Sequence, residues 1–298
     1  MFLYYIDILR ATSTFTTLFE LGVKSTRVFK EPEIANEYYI KNRINNKTNN
    51  NEMLLCGEIN SIKPDNFYLG NSPIEYINHY NNDNNILNSK QIIFTSTNGA
   101  KIISHNIDSL KPKYKNINQF ILSFLNIEEN VNYLVNNITN NLTNNINSVN
   151  QNDSDLTDVE IILVCGGENG KISIEDTVCA IMFKYQILNN LNQRKINYNN
   201  INYSKNKSEN KDIELVEESL FVKELIQPNE NINKSELTSE AISKLILKNF
   251  KEYIYQNSRH IERLKELKFE KDIEYCLELN KYKSVLILEE NLILCLNH

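Results

Sequence analysis

The chain has 298 residues, 32 Lys and Arg against 38 Asp and Glu, a net charge of −6 and a pI of about 5.4. That balance excludes a protein that tracks nucleic-acid phosphates through clustered cations, and 7 Gly, 5 Pro and 5 Cys exclude a collagen-like chain or a disulfide scaffold. Hydrophobic residues make up 41 %, enough at this length for a buried core, while Asn is in large excess at 50 residues.

In chain order, the apolar run Phe2–Ile6 reads as a buried strand, followed by a helix over Thr12–Leu21. A strand over Lys24–Phe29, a helix over Glu33–Lys41 and a strand over Met53–Cys56 come next. Ser72 and Pro73 then read as the cap and first residue of a further helix. Strands are predicted at Gln91–Thr95, Ile117–Leu122, Glu160–Cys165 and Ser284–Leu288, and helices at Glu128–Leu142, Ile174–Leu191 and Leu237–Leu267. This alternation predicts an α/β fold of two units with mainly parallel sheets, an N-terminal unit over 1–150 and a C-terminal unit over 156–298. Runs such as IILVC fit strands covered on both faces.

Four stretches, Asn42–Asn51, Asn78–Asn88, Asn136–Asp155 and Asn189–Asp212, read as loop insertions or helix-end extensions, because too few apolar groups offset their ordering entropy. No apolar run approaches a membrane span, and MFLYYIDILRA is too short for a signal peptide. Cys56, Cys165, Cys179, Cys276 and Cys295 form no CxxC pair and read as free thiols in a reducing compartment. The expectation is a soluble, cytoplasmic protein with a small-molecule partner, no nucleic acid and no membrane; the patterns carry no signal of oligomeric state.

Four blocks place chemistry-bearing residues at strand ends, where α/β sheets bind ligands. Asp7-Ile8-Leu9-Arg10-Ala11-Thr12 offers a carboxylate for a divalent metal and a guanidinium for an anion, or equally an Asp–Arg ion pair with Thr12 as helix cap. Glu58 follows a strand and a Gly, and Gly70-Asn71-Ser72-Pro73 forms a turn into a helix. Thr97-Asn98-Gly99 suits a phosphate or is a plain β–α turn. In Gly166-Gly167-Glu168-Asn169-Gly170-Lys171-Ile172-Ser173-Ile174-Glu175-Asp176, the two adjacent acids either favour the helix dipole or ligate a metal.

The stretches IDILRATST, GE followed by FYLGNSP, TSTNGA, SFLN, VCGGENGKISIEDTVCA and SRHIERLKELKFEKDIEYC, in this order, resemble the 2-phosphosulfolactate phosphatase family from Ile6 to about Leu288. The resemblance implies two α/β units with the active site between them, and Mg²⁺-dependent hydrolysis of 2-phospho-3-sulfolactate in coenzyme M synthesis. A metal would be held by Asp7, Glu58 and Asp176. Arg10, Asn71, Ser72, Thr97, Asn98, Gly99, Gly167 and Lys171 would bind substrate, and Asp7, Arg10, Asp176 and His260 would carry catalysis. Asp7 stands open as nucleophile or ligand, and His260 as acid for the leaving alkoxide or as a structural residue. The alternative function is a non-catalytic or differently specific binder of a small phosphorylated anion.

Overall fold

A computed structural model describes residues 1–45, 52–83, 86–103, 116–148, 159–196, 201–205 and 239–297. The strands are β1 (Phe2–Ile6), β2 (Ser25–Phe29), β3 (Met53–Gly57), β4 (Gln91–Thr95), β5 (Asn118–Leu122), β6 (Val159–Cys165), β7 (Ile201–Lys205), β8 (Leu286–Glu289) and β9 (Leu292–Cys295). The helices are α1 (Ala11–Glu20), α2 (Pro32–Asn45), α3 (Pro73–Asn82), α4 (Ile127–Ser148), α5 (Ile174–Gln193), α6 (Ser239–Asn257), α7 (Arg259–Glu266) and α8 (Glu270–Cys276), with a further helical turn at 99–103. No described helix is long and apolar enough to cross a membrane.

The mainly parallel α/β architecture is as the sequence predicts, with one difference: strands from both halves join a single nine-stranded sheet, in the order β3-β4-β2-β9-β8-β5-β1-β6-β7. Two parallel blocks, β3-β4-β2 and β5-β1-β6-β7, are joined by the antiparallel β8–β9 hairpin. The junctions β2·β9, β9·β8 and β8·β5 are all antiparallel, so strand sense reverses between the blocks. Sheet twist offsets the reversal. At about 20–25° per step, the five steps from β4 to β1 rotate opposed directions to within roughly 70° of each other. The carboxyl ends of β1, β3, β4 and β6 can thus serve one site.

Every residue of β1 is buried, which requires cover on both faces. Phe2, Tyr4 and Ile6 point into a core with Val131 and Leu134 of α4, Met182 and Phe183 of α5, Phe250 of α6 and Leu264 of α7. Leu3 and Tyr5 point into the opposite core, with Phe15 and Leu18 of α1 and Tyr76 of α3. The alternation follows from the two-residue period of a strand.

Several element bounds differ from the sequence reading. The helix predicted over Leu237–Leu267 is two: the Ser258 hydroxyl accepts the Ile261 amide and starts α7, so the chain turns at Asn257. Helix α4 runs past Leu142 to Ser148, which makes the first part of Asn136–Asp155 a helix-end extension, and Val131, Leu134, Val135 and Ile138 hold its buried stripe at helical spacing. Helices α2 and α3 likewise extend to Asn45 and Asn82. Within Asn189–Asp212 lie the end of α5 and strand β7, and β9 is a strand the sequence reading did not include. The remaining parts of the Asn-rich stretches lie largely outside the described residues.

Candidate active site

Asp7 follows β1 and is 5 % exposed. Its backbone is tied down locally: Thr12 donates its amide to the Asp7 carbonyl at 2.9 Å, and the Asp7 amide donates to Thr12 Oγ1 at 3.1 Å. Two glycines allow the surrounding turns to close on its carboxylate. A Cβ on Gly99 would lie 2.6 Å from Asp7 Oδ2 and 2.5 Å from the Ala11 Cβ, and one on Gly166 would lie 3.1 Å from the Asp7 Cβ. Burial, with the charges of Glu58 and Glu175, pushes the Asp7 carboxyl up to about 6, against the pull of His260 and the Ala11 amide.

Asp7, Arg10, Glu58, Asn71, Thr97, Asn98 and His260 line one small cavity of about 20 Å³. Seven sequence-predicted positions therefore meet there. Five do not line it. Asp176 sits behind it as a brace, its Oδ1 accepting the Ile8 amide at 2.8 Å and its Oδ2 the Gly167 amide at 3.0 Å. Burial, then the charges of Asp7 and Glu175, hold the Asp176 carboxyl well above its ordinary range. Ser72 caps α3, accepting the Glu75 amide at 3.1 Å and donating to Asp272 at 2.7 Å. Gly99 and Gly167 act through backbone shape, and Lys171 is exposed on a neighbouring cavity.

Arg10 is 3 % exposed, and its partner is Asp272 of α8 rather than Asp7. Nη1 lies 2.7 Å from Asp272 Oδ2, and the guanidinium stacks 4.0 Å above the Phe269 ring centroid. Asp272 also accepts Ser72 Oγ and the Ile74 amide, so one carboxylate locks Arg10 to the start of α3. Glu58 is similarly committed: Thr97 donates its amide at 2.6 Å and its hydroxyl at 2.9 Å, and Ser61 donates its amide.

His260, at the start of α7, is 7 % exposed, with Nδ1 3.2 Å from Glu175 Oε1. Glu175 Oε2 in turn accepts Ser258 Oγ at 2.8 Å. Burial pulls the His260 pKa down, but the hydrogen bond and charge of Glu175, helped by Asp7 and Glu168, outweigh it and raise it above the ordinary 6.5. Burial opposes ionisation of Glu175 as well, yet His260 holds its pKa below normal. The cavity wall also includes Asn60, Ser61, Glu168, Asn169 and Arg263, which sequence reasoning missed. Asn60, Ser61 and Asn169 take positive φ, and the Arg263 guanidinium donates to the Asn60 carbonyl at 2.9 Å. Glu168 and Asn169 carried a sequence signal as part of the Gly-rich block, and Arg263 as part of the tail motif, whereas Asn60 and Ser61 carried none.

The predicted three-carboxylate metal set is not gathered: among the described residues no three His, Cys, Asp or Glu side chains stand where they could share an ion. Both oxygens of Glu58 and of Asp176 already accept protein donors. Asp7 is different, with its carboxylate facing the cavity. The donors fit a cation that keeps most of its water and takes one or two carboxylates plus substrate oxygens, the usual habit of Mg²⁺, and not one enclosed by three acids.

A family model described as 2-phosphosulpholactate phosphatase matches residues 4–229 and 214–291. A Thermotoga maritima protein named probable 2-phosphosulfolactate phosphatase is 27 % identical over 282 residues, 94 % of this chain and 86 % of its own length. One of the same name from Caldanaerobacter subterraneus subsp. tengcongensis is 27 % identical over 289 residues, 97 % of this chain and 88 % of that protein. A third, from Pseudothermotoga lettingae, is 30 % identical over 182 residues, 61 % of this chain and 60 % of that protein.

Proposed function

The chain belongs to the 2-phosphosulpholactate phosphatase family, and from that premise we propose that it hydrolyses 2-phospho-3-sulfolactate to 3-sulfolactate and phosphate, as a Mg²⁺-dependent cytoplasmic step of coenzyme M synthesis. The observation that carries the proposal is that Asp7, Arg10 and His260 line one small cavity. A phosphomonoester hydrolase needs three things there: charge neutralisation on the phosphoryl oxygens, an anchor for them, and a proton for the leaving oxygen.

Arg10 anchors the phosphoryl group from a fixed position, since Asp272 and Phe269 hold its guanidinium. Asp7 would hold the Mg²⁺, which when bound neutralises phosphate charge and lowers the pKa of a bound water. Water adds to phosphorus as the bond from phosphorus to the C2 oxygen breaks. His260 then gives its proton to that oxygen. With Nδ1 on Glu175, the proton comes from Nε2, and the carboxylate keeps the imidazolium oriented and charged. Glu175 is thus a positioning residue.

Phosphate release from 2-phospho-3-sulfolactate tests the reading. Turnover with Mg²⁺ and its loss in EDTA are expected. Full activity in the chelator would overturn the metal requirement, and tight binding without turnover would leave an anion binder instead.

The Glu175–His260 pair also sets the pH dependence. The acid must be protonated, so kcat/KM falls as pH rises through the His260 pKa, which lies above 6.5. Glu175→Gln removes the charge that raises this pKa, so the alkaline limb moves down in pH. His260→Gln removes the limb and lowers kcat by about 10²-fold or more. An alkaline limb unmoved by Glu175→Gln would exclude His260 as the acid.

A further inference from the structure

The cavity around Asp7, at about 20 Å³, is small on a measure in which one water needs roughly 10–15 Å³. That is too little for the whole of a phosphorylated substrate. The rest of the substrate must extend into a neighbouring space, and two adjoin it. One, of about 250 Å³, meets it at Glu168 and His260 and is lined further in by Glu175. The other, of about 510 Å³, meets it at Arg10, Ser61 and Asn71.

Resting on the functional reading above, we propose that the larger groove is the subsite for the sulfonate end of the substrate, gripped by Lys268 and Lys271, with Asn71 at its junction with the phosphoryl cavity. The junctions decide between the two spaces. An anion passing into the smaller one meets the Glu168 carboxylate beside His260, whose charge is already matched by Glu175, whereas one passing into the larger meets a guanidinium and an amide. Asn71 is 5 % exposed and its Oδ1 has no hydrogen-bond partner among the described residues. That oxygen only accepts, so a bound water or a protonated group would satisfy it, and it is the Asn71 Nδ2 that can donate to an anion at the junction.

Lys268 and Lys271 also line the groove, exposed on either side of Phe269 and Glu270, and neither ammonium has a partner among the described residues. The acids nearby are mostly spoken for. Asp272 pairs with Arg10, and the Glu75 carboxylate accepts the Gly70 amide at 2.7 Å. Glu270 alone faces the two lysines without such a partner, and Lys63, also on the groove, donates to the Phe67 carbonyl. Lys268 holds a positive φ of 63° at the end of α7, with its amide on the Lys265 carbonyl, which fixes where its side chain starts.

The test compares 2-phospho-3-sulfolactate with 2-phospholactate, which lacks only the sulfonate. Wild type is expected to prefer the sulfonated ester in kcat/KM. The Lys268→Ala/Lys271→Ala double variant, altered only at exposed positions, should reduce that preference about tenfold, mainly through KM. A preference that survives the double variant overturns the subsite, as does collapse of the preference in a Lys171→Ala/Arg259→Ala variant of the smaller cavity, or its absence in wild type. Failure of wild type to release phosphate from either ester overturns the functional reading itself.

Discussion

Asp7→Asn is expected to abolish turnover and stabilise the fold at the same time. The rate falls by about 10³-fold or more, because charge stabilisation worth several kcal/mol at the phosphoryl group depends on that carboxylate. Stability moves the other way. The folded Asp7 carboxyl is pushed up to about 6 from 3.8, so between those values the native state holds the proton more tightly than the unfolded chain. Stability therefore falls as pH rises through that window, and above it the ionised carboxylate remains a burden. A neutral amide of the same shape removes the burden, raising stability at pH 7 by about 1–3 kcal/mol. Denaturant midpoints at pH 7 and pH 4 check this, with the gain expected at pH 7 and absent at pH 4. An inactive variant that is also less stable at pH 7 would make Asp7 a structural residue.

Asp272→Ala carries the second large effect. It leaves the Arg10 guanidinium, 3 % exposed, without its counter-ion, and it strips an acceptor from Ser72 and Ile74. Removing one partner of a buried ion pair costs about 3–5 kcal/mol. A drop of roughly 5–15 °C in Tm should follow, with phosphate release lost because Arg10 is no longer held. The double variant Arg10→Met/Asp272→Leu separates the two consequences: apolar groups of similar volume restore much of the stability but no activity. A single variant within 1 kcal/mol of wild type would show that Arg10 does not depend on Asp272.

Most strands, and the residues that end them, were legible because burial on both faces writes itself as an unbroken apolar run, as in Phe2–Ile6 and Glu160–Cys165. The cap at Ser72 with Pro73 was legible for a local reason too, since both signals lie within one turn. What the sequence could not show were choices between equivalent partners. Asp176 is an acid in the first turn of a helix, and nothing local separates a metal ligand from a brace for the Ile8 and Gly167 amides. Arg10 had Asp7 three residues away, yet it pairs across 262 residues with Asp272. The buried stripe from Val131 to Ile138 made helix α4 legible, but beyond it Asn favours turns, and nothing local chose between a loop and the helix-end extension that runs to Ser148. The split at Ser258 was hidden inside a long amphipathic pattern that continues on both sides of it.

The hairpin between the two parallel blocks has a consequence for synthesis. Strand β1 precedes the other described strands, yet it lies between β5 and β6, and within the sheet the three-stranded block connects to it through β8 and β9, the last described strands in chain order. At roughly 5–20 residues per second, translation of this chain takes on the order of 15–60 s. Before β8 and β9 are made, the two blocks touch through the core shared by β1, α1 and α3 but have no strand pairing between them. The β5 and β2 edges of the nascent chain therefore stay unpaired until β8 and β9 are made.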